Sequence, residues 1–139
     1  GTYEITGLKH SAVKEFLEWT KKCSNKTMAG INPWFDRDFL IDSCERGGIN
    51  WPLGYRTIDL HTIVYFHHLK RGIKIPMRKG KTDIDSEKSF VYAGLPPEPK
   101  PHHALTGAKM EADAFSRLIY GRGLFKEFEK FGVPGYLKQ

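Results

Sequence analysis

Cysteine is scarce in this chain. Cys23 and Cys44 are the only two, they stand in no CxxC spacing, and by themselves they make neither a zinc site nor a disulfide framework. A reducing, cytoplasmic setting is the expectation that follows. Long apolar runs are missing too: stretches such as Thr62-Ile63-Val64-Tyr65-Phe66 fall far short of the roughly 20 residues that a membrane span needs. No secretory signal pattern precedes them, so no membrane association is expected. Internal repeats are absent. Acids are the minority charge, 16 Asp and Glu against 22 Lys and Arg for a net +6, which suits a polyanionic partner. What the chain does have is apolar and aromatic material, 40% and 13% of 139 residues. That is enough for one core, and a single domain over residues 1–139 is expected.

The periodicities alternate between strand and helix. Residues 10–23 place Val13, Phe16, Leu17 and Thr20 on one side, with Lys14, Glu15, Glu18, Lys21 and Lys22 elsewhere, the pattern of a surface helix. Residues 27–31 form a short buried-strand candidate. Pro33 is placed to open a helix that runs to about Glu45 and stops at Gly47-Gly48. Tyr55-Arg56-Thr57-Ile58-Asp59-Leu60 is β-branched and aromatic, a second strand, with a helix from about Leu60 to Lys70 behind it. Residues 72–82 are expected to be a basic loop holding Lys74, Arg78, Lys79 and Lys81. Asp85 to Lys88 offers a helix start for residues 89–92. The four prolines between Leu95 and Pro101 exclude helix and deliver His102 on an extended backbone. Residues 104–120 then carry Leu105, Ala108, Ala112, Phe115, Leu118 and Ile119 along one apolar face, and residues 124–131 predict a short last helix. The rhythm is α/β.

Two stretches carry chemistry. The first is Ala29-Gly30-Ile31-Asn32 followed by Phe35-Asp36-Arg37-Asp38-Phe39-Leu40; the second is His102-His103-Ala104-Leu105 at the mouth of the long helix. Together they resemble the second and third motifs of the DEDDh 3′-to-5′ exonucleases, relatives of polymerase proofreading subunits with a ribonuclease H-like fold. Ile31 stands where that family usually has histidine, and Tyr55 to Leu60 resembles its next strand. The likeness covers the chain from the turn at Ile5-Thr6-Gly7-Leu8 to the helix containing Phe115.

The resemblance implies hydrolysis of phosphodiester bonds at the 3′ end of single-stranded DNA or RNA with two Mg²⁺ or Mn²⁺ ions. Such ions, about 4 Å apart, activate the attacking water and stabilise the leaving oxygen, and they prefer carboxylate ligands. In the implied site Asp36 is the metal-associated carboxylate and His102 the base that takes the water's proton. Asn32, Trp34 and Phe35 beside Asp36 are candidate nucleic-acid contacts, the aromatics by stacking on a terminal base with Phe35 the likelier core residue. Lys79 and Lys81 are candidate phosphate contacts.

Two departures from the family pattern matter. Five residues after the histidine the family has Asp, and here that position is Gly107, with Ala108 following in register. Glu111, one helical turn on, is the candidate replacement ligand, whereas Asp113 points away. The family's first motif, Asp-x-Glu on the first of three meandering strands, has no counterpart, and the chain opens on Gly1. The implied fold is therefore an incomplete ribonuclease H-like sheet with helices on both faces and its first three strands absent, the C-terminal two-thirds of an exonuclease domain. Asp-x-Glu is expected from an N-terminal fragment, a second chain, or self-assembly. Two rival readings are a catalytically degenerate module that grips nucleic acid without cutting, and an interaction subunit that pairs through its open sheet edge. His61, His67 and His68 lie on one helix with no acid or cysteine at ligand spacing, so packing or surface roles are expected for them.

Overall fold

The computed structural model describes residues 10–138; the turn expected at Ile5 to Leu8 lies outside them. The architecture is mixed α/β, about 52% helix with little sheet, so helix packing rather than sheet pairing buries most side chains. The chain divides into two units, one up to Ile58 and one from Asp59 onward.

In the first unit, α1 (His10–Thr20) buries Val13, Leu17 and Thr20, the i, i+4, i+7 stripe of a surface helix. Thr20 Oγ1 donates to Leu17 O at 2.7 Å, so this polar member of the stripe is satisfied within its own turn. The strand β1 (Met28–Gly30) leads into α2 (Pro33–Arg46). Pro33 occupies the first turn, where its missing N–H costs nothing. α2 ends at Gly47, whose N–H reaches back to Ser43 O and Cys44 O, both at 3.1 Å. α1 packs on α2 around Val13, Leu17 and Cys44, flanked by Phe16, Leu40, Ile49, Trp51 and Leu53. Each fully buried aliphatic side chain of such a cluster contributes about 1.5–3 kcal/mol. The strand β2 (Thr57–Asp59) pairs with β1.

The second unit begins at the end of β2, where Asp59 caps α3 (Leu60–Arg71) by accepting from His61 N at 3.0 Å. α3 buries Leu60, Val64 and His68. His68 Nδ1 lies 2.8 Å from Val64 O; a carbonyl only accepts, so Nδ1 carries the proton, and the ring stacks on Tyr92 at 4.6 Å. His61 meets Thr82 Oγ1 at 2.8 Å and His67 meets Leu118 O at 3.0 Å. All three histidines are thus engaged in packing contacts.

The segment expected to be a plain basic loop contains a hairpin, β3 (Met77–Arg78) antiparallel to β4 (Lys81–Thr82). Lys79 and Gly80 between them have φ of 49° and 75°, the positive pair of a two-residue type I′ turn. Lysine at the first turn position gives none of the Asn-Gly signal by which such turns are recognised. Next, α4 (Ser86–Tyr92) is capped by Asp85, which accepts from Lys88 N at 2.8 Å.

The long helix α5 (Ala104–Tyr120) has the bounds its periodicity predicts, but its buried face is rotated. Met110, Asp113, Ala114, Ser116, Arg117 and Leu118 are buried, while Leu105 and Ile119 are 58% and 47% exposed. The sequence pattern misassigns the face because it counts Asp113 and Arg117 as polar. They are buried as a pair, Arg117 Nε to Asp113 Oδ2 at 2.7 Å. The same pair replaces the expected last helix. Asp113 Oδ1 accepts from Leu124 N and Phe125 N at 2.7 and 2.8 Å, and Arg117 Nη2 donates to Phe128 O and Phe131 O at 3.1 and 2.7 Å. Backbone groups claimed by side chains do not close α-helical turns, and only the 3₁₀ turns Lys126–Phe128 and Gly135–Leu137 form. Within this unit α3, α4 and α5 pack pairwise on one another.

Candidate functional site

The first unit presents the β1–α2 junction. Asn32 adopts a left-handed conformation, φ 48° and ψ 49°, which asparagine tolerates better than most residues. It turns the chain sharply from strand to helix, and Asn32 O accepts from Phe35 N at 3.0 Å. Asp36 therefore falls in the first turn of α2, where the helix dipole favours a negative charge. The residue as a whole is exposed, yet partial burial of its carboxyl raises its pKa above the usual aspartate value, an effect its own backbone N–H partly opposes.

Trp34, Phe35 and Phe39 are 50%, 53% and 47% exposed. Phe35 is accordingly not a core residue, against expectation: it sits between its neighbours, edge-on to Trp34 at 5.9 Å and tilted against Phe39 at 4.9 Å. The cause lies in helical register. Pro33, Ser43 and Cys44 are the buried positions of α2, with Leu40 half-buried, which leaves 34, 35 and 39 outside. Arg37 ties this end of the helix to the following loop by donating to Tyr55 O.

The second unit holds the other candidates. His102 lies two residues before α5 and its side chain is 69% exposed. Its Nδ1 is 3.2 Å from Oε2 of Glu98, whose own side chain is only 18% exposed. Glu98 lies between Pro97 and Pro99 in the irregular proline-rich segment, which bends at Lys100 and Pro101 rather than running extended as expected, and its second oxygen faces the helix, 3.1 Å from where a Cβ at Gly107 would stand. Glu111, one turn beyond Gly107, is half-buried. Lys79 and Lys81 are exposed on the β3–β4 hairpin. Asp113 is committed to Arg117 and the backbone of residues 124 and 125.

Within the first unit the fold thus gathers Asn32, Trp34, Phe35 and Asp36, and within the second it sets His102 against Glu98. Glu98 had no signal in the sequence, because a spacing of four residues means proximity only on a helix and the prolines forbid one here. Phe39 was missed as a surface aromatic because its spacing fits a core stripe equally well.

No family model, curated protein or solved structure matches the chain.

Among the described residues no group of three or more His, Cys, Asp or Glu side chains is placed to hold a metal ion. The described residues therefore do not by themselves fit the two-ion centre that the resemblance implies. What they do supply is an accessible carboxylate at a helix start and an accessible imidazole with an acid on one ring nitrogen. A cavity of about 470 Å³ in the second unit, lined by Val64, His68, Ile84, Tyr92 and Tyr136 among others, includes neither His102 nor Glu111. Among the described residues no helix is long and apolar enough to cross a membrane.

Proposed function

We propose that this chain is part of a 3′-to-5′ exonuclease acting on single-stranded DNA or RNA, with Asp36 and His102 each in the role that the resemblance gives it. One observation carries the reading. β1 runs through Asn32 directly into α2, so that Asp36 stands accessible in the first helical turn with its carboxyl partly desolvated, within a stretch that resembles the second motif of the DEDDh exonucleases. Perturbed, accessible carboxylates are over-represented at functional sites. His102, accessible at the mouth of α5, has the position of that family's base and takes a proton from water. Trp34, Phe35 and Phe39 offer faces on which a terminal base stacks. Lys79 and Lys81 offer cations to the phosphate backbone. Because the described residues gather no complete cation set, the remaining carboxylates of an active centre, the Asp-x-Glu pair included, come in this reading from a further segment, a second chain or a second copy.

A second reading has its own support. The exposed aromatic trio, the basic hairpin and Gly107 in place of an acid equally describe a module that holds nucleic acid and does not cut it.

Incubation with a 5′-labelled single strand and Mn²⁺ separates the two. Shortening from the 3′ end that Asp36→Ala and His102→Ala each reduce by about 10²-fold or more supports the exonuclease. Binding without shortening favours the module, and no binding even at low salt removes both. Native mass spectrometry adds the stoichiometry: a companion fragment or oligomer supports the supply of acids from outside this chain.

A further inference from the structure

We propose that Glu98 is the positioning residue for His102, and that it supplies from the proline-rich segment the negative charge that Gly107 does not. The inference rests on the reading of His102 as a base.

The geometry has two halves. Glu98 Oε2 lies 3.2 Å from His102 Nδ1. A carboxylate can only accept, so its closeness to Nδ1 favours the tautomer with the proton there, which leaves the lone pair of the neutral ring on Nε2 of a side chain that is 69% exposed. That is the tautomer a base needs. When Nε2 takes a proton from water, the new positive charge on the ring lies beside the Glu98 carboxylate, and Nδ1 keeps its proton. No other group changes its proton count.

The second half concerns room. Glu98 Oε1 is 3.1 Å, and Oε2 3.6 Å, from the position a Cβ would take at Gly107. Any side chain at 107 would press on this carboxylate, and an aspartate would add like charge to the crowding. The absence of a side chain at 107 and the presence of Glu98 are therefore one arrangement. Pro97 and Pro99 on either side restrict the backbone that carries the carboxylate, and its 18% exposure shows that it is tucked in rather than swinging in solvent. The His–carboxylate pair has the base-and-orienting-acid logic of other hydrolytic sites, on a loop-to-helix junction instead of a strand.

The test begins without turnover. In ¹⁵N-histidine-labelled protein at a pH where His102 is neutral, long-range ¹H–¹⁵N correlations are expected to show Nδ1 protonated and Nε2 bare. Glu98→Ala is expected to shift the ring toward the Nε2–H form that an unpartnered imidazole favours, with the signals of His61, His67 and His68 unmoved as a folding control. An Nε2–H tautomer in the unsubstituted protein, or a ring indifferent to Glu98→Ala, overturns the proposal. Should Glu98→Ala disturb those control signals, Glu98→Met, close in volume and without an oxygen to accept from Nδ1, provides the same decision.

Activity then adds a swap. Glu98→Ala is expected to lower kcat by roughly ten- to a hundredfold with KM little changed, less than the full 10²–10⁴ of a general base. Gly107→Asp alone is expected to lower activity as well, whereas Glu98→Ala with Gly107→Asp recovers at least half of the loss caused by Glu98→Ala. No recovery in the double variant overturns the shared-space half of the proposal. If His102→Ala leaves strand shortening unchanged, the exonuclease reading of His102 fails, and the tautomer measurement still decides whether Glu98 orients the ring.

Discussion

At the scale of single residues, two titrating groups make opposite demands on pH. Burial holds the Asp36 carboxyl above its usual value of 3.8, so folding favours its protonated form. The associated stability is fully present below the unfolded pKa and is lost as pH rises through the higher folded one. At neutral pH the ionised Asp36 is therefore a small burden on the fold, and Asp36→Asn is expected to raise Tm at pH 7, with the gain shrinking as pH falls toward 4. Thermal melts at three or four pH values check this, and a Tm lowered at pH 7 contradicts it. His67 runs the other way. Burial, helped by Lys70 and Arg71 nearby and opposed by the bond to Leu118 O, lowers its pKa below 6.5. Stability from the neutral ring is present above the unfolded value and lost as pH falls through the folded one. His67→Gln keeps a donor for Leu118 O, and urea melts are expected to show a weaker loss of stability below pH 6.5 than the unsubstituted protein.

At the scale of elements, what could be read from the sequence depended on whether local chemistry or tertiary partners decided the outcome. α5 was legible to its last residue because nothing local competes between Ala104 and Gly121, and Gly121 closes it at φ 70°. α2 was legible because Pro33 and Gly47 punctuate it. The β3–β4 hairpin was not, since Lys79 adopts the left-handed conformation without being Asn or Gly. Replacing it with a residue that favours this conformation is a direct check: Lys79→Asn is expected to stabilise the hairpin by a few tenths of a kcal/mol, and Gly80→Val, at φ 75°, to cost about 1 kcal/mol or more. Of the candidate site, Asp36 and His102 were legible as motif positions, because their spacing to aromatic and small residues is local. Glu98 was not, because its approach to His102 and Gly107 follows from a bend in a proline-rich segment and not from any period. Phe35 was misjudged for a related reason: the inward side of α2 is chosen by α1, and the helix's own pattern is too weakly amphipathic to announce it.

At the scale of the whole molecule, the surplus of six positive charges would give the proposed binding to nucleic acid a salt dependence. Each phosphate neutralised on a single strand contributes roughly 0.7 to the slope of log affinity against log salt. If Lys79 and Lys81 each meet a phosphate, replacing both with Gln is expected to reduce that slope by about 1.4, measured by fluorescence anisotropy at several salt concentrations. An unchanged slope removes the hairpin from the interface. Stability at this scale leans on one buried pair. Asp113→Ala would strand the Arg117 guanidinium and two backbone N–H groups, at a cost of about 3–5 kcal/mol, read as a shift of the urea midpoint.

Arg117 has one more consequence. Its Nη1 and Nη2 donate to Ala93 O, Gly132 O, Phe128 O and Phe131 O, so the irregular tail is gripped along its carbonyls and not merely laid over a surface. Trimming the chain after Glu127 would thus act as a lesion in the interior, leaving a cation with three of its four carbonyl partners removed. Versions shortened in this way would fail at folding, whatever else the chain does.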